Sequence, residues 1–374
     1  MSNCTEDGKT AGDAFLDNDW KCRGGHPLEK APVQQVVVEQ EDPVFIKGIY
    51  ERLGENKPEP PVDTFITFGH HINLLVRQEW IEMKDALLAG TEENLHRTIF
   101  LRGTSGRGKT SFVYYLMYCI LISAKKTKAE LESDPHAFVE SKKRKAEQES
   151  DLLIGYVCDE GSSVAKFLLT LSHVKRVASI PSRVHYYIAD TDSDENRTNL
   201  AKYFMMVVDS DDSRGKTEFR KRLQEANGET FLIPPPTREQ MHLMFAGIHS
   251  SDEIDFRLDV VGCNPRLLRA RCCNNFRHNF ELEQVIKNTC VEILGYTETD
   301  VDPTRFNWVM SIVMQAIEAA ISGENKSSVT SLFREDIRED SGLLTVRFTS
   351  TFMCFLAGKF RDKFATSSLT SRWF

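Results

Sequence analysis

The chain has 374 residues, 41% of them hydrophobic and 27% charged, and a formal net charge of −8. That length accommodates two or three domains and the composition is ordinary for a soluble globular protein. The acidic balance argues against broad, sequence-blind adhesion to nucleic acid, although a local basic patch remains compatible with it. The first thirty residues lack an apolar signal region and no run reaches the roughly eighteen apolar residues of a membrane span, so a protein that is neither secreted nor membrane-bound is expected. Nine cysteines without a Cys-x-x-Cys pair indicate neither a disulfide framework nor a zinc ribbon.

Residues 1–95 read as an N-terminal region, partly disordered. Its first thirty residues are polar, Val36–Val38 has the look of a strand, and Pro58-Glu59-Pro60-Pro61 forms a linker or rigid turn. The spacing of apolar residues from Leu74 to Leu88 predicts a helix.

Residues 96–236 alternate short apolar strands with helices, which predicts an α/β fold with a central parallel sheet flanked by helices. Strands are expected at 98–101, 152–158, 184–189, 203–208 and 230–233, with a charged helical excursion at 125–150. Directly after the first strand come Gly103-Thr104-Ser105-Gly106-Arg107-Gly108-Lys109-Thr110, then Ser111 and a long apolar helix. This is the complete G-x-x-x-x-G-K-[ST] pattern in the strand–loop–helix order that its chemistry requires. Such glycines let successive backbone N–H groups turn inward onto phosphates. Lys109 would reach the β- and γ-phosphates, Thr110 would ligate Mg²⁺, and the helix dipole favours the same anion. Gly103 to Ser111 are therefore the expected nucleotide-binding residues, ATP and Mg²⁺ the expected cofactors, and a P-loop NTPase core the expected domain. The competing reading is a degenerate loop kept for structure.

A phosphate loop needs an acidic metal partner at the end of a neighbouring strand. Asp159-Glu160 ends the first strand after the loop helix, which in many P-loop ATPases lies at the sheet edge. Asp190 ends the next, Val184–Asp190, and is the favoured residue, with Asp192 as helper. The string Asp190-x-Asp192-x-Asp194 is not an EF-hand, because Glu195 and Ala201 stand where glycine and glutamate are required. Asp209–Ser213, after the strand at 203–208, reads either as a sensor of hydrolysis or as a capped turn.

Residues 237–374 read as a mainly helical lid or C-terminal domain. Thr237 and Gln240 form a capping box, Asp302-Pro303 opens a helix running to Ile321, and a last helix at 349–364 carries Phe352, Phe355, Phe360 and Phe364 toward the core. In Val260-Val261-Gly262-Cys263-Asn264-Pro265-Arg266 the glycine and proline fix a turn that places Arg266 at a helix start. From there Arg266 either reaches a γ-phosphate or makes a surface ion pair.

Four stretches, together with the Ile233–Glu239 proline turn, resemble the retrotransposon hot spot proteins of trypanosomatids and, more distantly, the Crinkler effectors. They are Ile99–Thr110, His185–Asp190, Phe204–Phe219 and Val261–Leu268. The resemblance covers 96–365. It implies a P-loop ATPase core of the additional-strand type, a helical C-terminal domain bearing Arg266, nuclear association and contact with the gene-expression machinery. Asp209-Ser210-Asp211 replaces the family's serine-proline, and no glutamate follows Asp190, so the sensor and the water-activating base are unassigned. Lys142-Lys143-Arg144-Lys145 fits a short nuclear-import tract, or equally an exposed basic helix.

Two readings follow, both with nucleotide as ligand and a nuclear protein or RNA/DNA-associated complex as partner, and neither fixing the oligomeric state. In the first the chain is an ATPase in which Lys109, Asp190 and Arg266 are catalytic and Thr110 and Asp190 hold the metal. In the second it is a scaffold that keeps its nucleotide with little or no hydrolysis. A small-molecule kinase suits the helical C-terminal region less well, and no acidic cluster suggests a two-metal nuclease.

Overall fold

The structure, a computed structural model, describes residues 44–55, 57–68, 72–89, 97–104, 106–133, 152–160, 163–191, 201–208, 228–270, 280–295, 302–322, 334–338 and 344–364. The fold is mixed α/β, with a central, mostly parallel sheet flanked by helices. The chain divides into two compact units, one from the described residues of Met1–Val76 and Val113–Met205, the other from Arg77–Phe112 and those of Met206–Phe374. These units do not coincide with the three segments read from the sequence.

The first unit contains α1 (Val44–Gly54), the antiparallel hairpin β1 (Phe65–Phe68) and β2 (Ile72–Leu75), and all but the first turn of α3 (Lys109–Ser133). It also holds β4 (Ile154–Glu160), β5 (Ser163–Leu169), β6 (Val174–Arg176), β7 (Tyr186–Asp190) and the start of β8 (Phe204–Val208), in the strand order β6-β5-β4-β7-β8. Helix α3 is buried all round from Tyr115 to Leu121, as expected of a helix apolar on every face. Tyr186 to Ala189 are buried without interruption and so are all five residues of β8, the mark of strands covered on both faces. Strand β5 alternates instead, with Ala165, Phe167 and Leu169 inside.

The second unit contains α2 (Gln78–Ala89), β3 (Arg97–Arg102), the rest of β8 and β9 (Glu229–Leu232), in the strand order β8-β3-β9 with β3 and β9 parallel. Arg97 forks onto both Glu229 carboxylate oxygens at 2.8 and 2.6 Å and ties these two strands together. Then follow α4 (Arg238–Phe245), α5 (Ser251–Val261), α6 (Pro265–Arg269), α7 (Phe280–Leu294), α8 (Pro303–Ser322), the hairpin β10 (Arg334–Arg338) and β11 (Leu344–Phe348), and α9 (Thr351–Phe364). One apolar cluster joins α5, α7, α8 and α9 around Trp308, whose indole N–H donates to the Ala270 carbonyl.

The capping box is present: Thr237 Oγ1 accepts from Gln240 N, and Gln240 Oε1 in return accepts from Thr237 N. Replacing Thr237 by alanine leaves the Gln240 N–H unmatched and is expected to cost about 1 kcal/mol, read as a lower denaturant midpoint with unchanged slope.

Several expectations need correcting. Leu74, Leu75 and Val76 are not helical: residues 72–75 pair with β1, and the helix opens only after Arg77, whose carbonyl receives Trp80 N. The strand at 154–160 is not an edge, because β5 and β6 lie outside it. The mainly helical region after 237 also carries the β10–β11 hairpin, which the sequence reading did not include. Phe352 and Phe360 are buried but Phe355 is 47% exposed, because the helix turns that position away from its neighbours. The readings at residues 1–30, Val36–Val38, Lys142–Lys145, Asp192, Asp194 and Asp209–Ser213, and the side chain of Phe364, lie outside the described residues.

Candidate phosphate-binding site

The predicted loop joins the end of β3 to the start of α3, so strand, loop and helix stand in the expected order. Gly103, Gly106 and Gly108 adopt φ of 151°, 84° and 91°, conformations that side-chain-bearing residues rarely hold. Space enforces the same choice. A Cβ on Gly106 would stand 2.5 Å from Asn264 Oδ1 and 2.7 Å from Arg266 Cβ, and one on Gly108 would meet the Trp80 ring at 3.3 Å. On the strand side, a Cβ on Gly103 would lie 3.1 Å from the Ile233 carbonyl oxygen, while Ile233 N donates to Arg102 O.

Lys109 begins α3, half-buried, and its ammonium donates to the Gly103 carbonyl, so the cation lies over the loop rather than in bulk water. Thr110 is exposed and Ser111 half-buried on the same turn. Phe112 N donates to Gly108 O at 2.8 Å, closing the first helical turn. Thr104 is buried, Ser105 lies outside the described residues, and Arg107 is buried with Nη1 donating to the Cys263 carbonyl at 2.7 Å. A glycine-rich turn between strand and helix with a lysine across it fits a phosphate group.

Arg266 is the second residue of α6 and is exposed. Asn264 caps that helix, its Oδ1 accepting from Arg266 N at 3.1 Å and Leu267 N at 3.3 Å, and Pro265 takes the first helical position. The loop and Arg266, 160 positions apart in sequence, are thus packed together through Gly106.

Asp190 belongs to the first unit. It ends β7, half-buried, in register with Cys158 of β4. Burial is the main cause pushing the Cys158 thiol up to about 12, and the Asp190 carboxylate adds to it. The next residue, Thr191, is buried and its hydroxyl donates to Asp159. Among the described residues no three His, Cys, Asp or Glu side chains cluster as a metal site, and no helix is long and apolar enough to cross a membrane.

Sequence reasoning missed Arg77 and Trp80. Arg77 is 1% exposed, donates to the Pro234 carbonyl at 3.0 Å and lies 5.3 Å from the Trp80 ring, which itself packs against the Gly108 position. Burial pulls its guanidinium down to about 10. Its only sequence signal is an arginine directly ahead of a helix, too common to single out.

No protein-family model matches the chain, and no curated protein matches it either. Among solved structures, the chain is similar to the ORC2 protein of Aeropyrum pernix in its ADPNP–ADP complexes, at 11% identity and a TM-score of 0.29, covering 77% of this chain and 94% of that one. It is also similar to Drosophila ORC bound to DNA, at 13% identity and a TM-score of 0.25, covering 89% of this chain and 96% of the other.

Proposed function

We propose that this chain is a P-loop ATPase that binds ATP and Mg²⁺ on Gly103–Ser111 and uses hydrolysis to reposition its C-terminal segment on a nuclear or nucleic-acid-associated partner. The observation that carries this reading is the loop itself: three glycines at positive φ between a strand and a helix, with Lys109 folded across them. In this reading the backbone N–H groups of the loop and Lys109 hold the phosphates and stabilise charge on the transferred phosphoryl group. Thr110 and Asp190 are the residues assigned to Mg²⁺, whose charge would offset that of the phosphates. Arg266, exposed at the head of α6 with its Cβ against Gly106, is assigned to the terminal phosphate. The likeness of four stretches to the retrotransposon hot spot proteins supports the nuclear setting, with the cytoplasm as the other compartment for a chain of this composition.

A second reading has one specific observation behind it. Thr191 follows Asp190 where a water-activating glutamate would stand, and its hydroxyl is engaged by Asp159. A chain without that base holds nucleotide as a scaffold with little or no turnover.

The test is phosphate release from ATP by the purified chain, with and without added RNA or DNA. Turnover supports the ATPase, and stimulation by one nucleic acid identifies the partner class. ATP bound without phosphate release selects the scaffold, and absence of ATP binding removes both readings.

A further inference from the structure

Arg107 stands at a variable position of the loop motif, where a long cation is most simply taken for a phosphate ligand. Its geometry says otherwise. The side chain is 2% exposed, and Nη1 donates to the carbonyl of Cys263, 156 positions further along the chain. That carbonyl belongs to the turn that launches Arg266. Asn264, fully buried, follows it and holds the N–H groups of Arg266 and Leu267. On the other side, Gly262 accepts from Asn264 N at 2.8 Å and leaves no space for a side chain against the Thr349 carbonyl. The turn is therefore fixed from behind by Gly262 and from the loop side by Arg107, and Arg266 emerges from it beside Gly106.

We propose that Arg107 is a positioning residue: it fastens the Cys263 carbonyl to the phosphate loop and so sets the place from which Arg266 meets the terminal phosphate of a bound nucleotide. This rests on reading the loop as a nucleotide site. A guanidinium–carbonyl hydrogen bond sheltered from water is stronger and more directional than an exposed one. Lysine, a point charge on a flexible stem, keeps the charge and loses the planar fork. A phosphate arriving at the loop and the turn carrying Arg266 then share one rigid connection, and the distinction between tri- and diphosphate passes through it.

The experiment compares ATP and ADP affinities of the full chain with those of Arg107→Met, Arg107→Lys, Arg266→Ala and the double variant Arg107→Met/Arg266→Ala. If Arg266 meets the terminal phosphate, Arg266→Ala lowers the preference for ATP over ADP about tenfold. Arg107→Met is expected to lower it to a similar extent, Arg107→Lys to recover part of it, and the double variant to be no worse than Arg266→Ala alone, since the two residues act through one contact. Effects that multiply in the double variant would make Arg107 an independent phosphate ligand and overturn the proposal. So would an effect of Arg107→Met without one of Arg266→Ala, or an unchanged ATP/ADP ratio alongside a lowered unfolding midpoint. Should Arg107→Met fail to fold, Arg107→Lys carries the same comparison. A wild-type chain that binds neither nucleotide defeats the nucleotide reading itself, and that outcome is seen before any substitution is made.

Discussion

Lys109→Ala is expected to abolish ATP turnover and to weaken ATP binding by about a hundredfold or more. The lysine is the cation at the head of α3, held half-buried across the loop on the Gly103 carbonyl. Hydrogen bonds from a charged donor contribute about 1.5–3 kcal/mol each, more where water is excluded, and a phosphate would take more than one from this ammonium. In the proposed site alanine would also remove the lysine's positive charge from beside the phosphates. The fold should tolerate the change, because the Gly103 carbonyl loses only a donor and no core volume is removed. Unaltered far-ultraviolet circular dichroism with lost nucleotide binding is the expected pair of results. Normal turnover in the variant would remove the loop from the proposed chemistry.

Among the described glycines, Gly262→Ala is expected to be the most damaging to stability. Gly262 closes α5 with φ 68° and ψ −169°, a combination reserved for glycine. An added Cβ would lie 2.1 Å from the Thr349 carbonyl oxygen and 2.9 Å from its carbon. Both obstructing atoms are backbone, so no side chain can swing aside. The strand-to-helix corner at Thr349 is itself held, since Ser350 Oγ donates to Val260 O at 2.5 Å and accepts from Met353 N at the start of α9. Backbone strain and overlap together cost about 3 kcal/mol or more, which lowers the thermal midpoint by about 6–12 °C. Gly247→Ala is the control: no atom lies within 4 Å of its Cβ position, and its effect should stay within about 0.5 kcal/mol. Equal midpoints for the two variants would show that the Gly262–Thr349 approach is not needed for the fold.

Where the signal is local, the sequence was sufficient. The loop motif needs only eight consecutive residues, the capping box only Thr237 and Gln240, and the start of α8 only Asp302-Pro303, whose Asp302 carboxylate accepts from Thr304 N at 2.9 Å. The unbroken apolar runs of β7 and β8 announce strands buried on both faces, because no amphipathic pattern survives there. Asp190 was legible as the end of such a strand.

What tertiary structure alone decided is everything that depends on which segments meet. The run Ile72–Leu75 is compatible with helix or strand, and pairing with Phe65–Phe68 selects the strand. Phe355 shares the apolar character of Phe352 and Phe360, yet helical rotation leaves it in water. Arg77 reads as an ordinary surface cation and is buried against Trp80 and Pro234. Arg107 reads as a phosphate ligand, and its hydrogen bond runs instead to a carbonyl 156 positions away. A motif specifies backbone conformation through its own residues, whereas the partner of a long side chain is set by distant segments whose approach leaves no periodic or compositional trace.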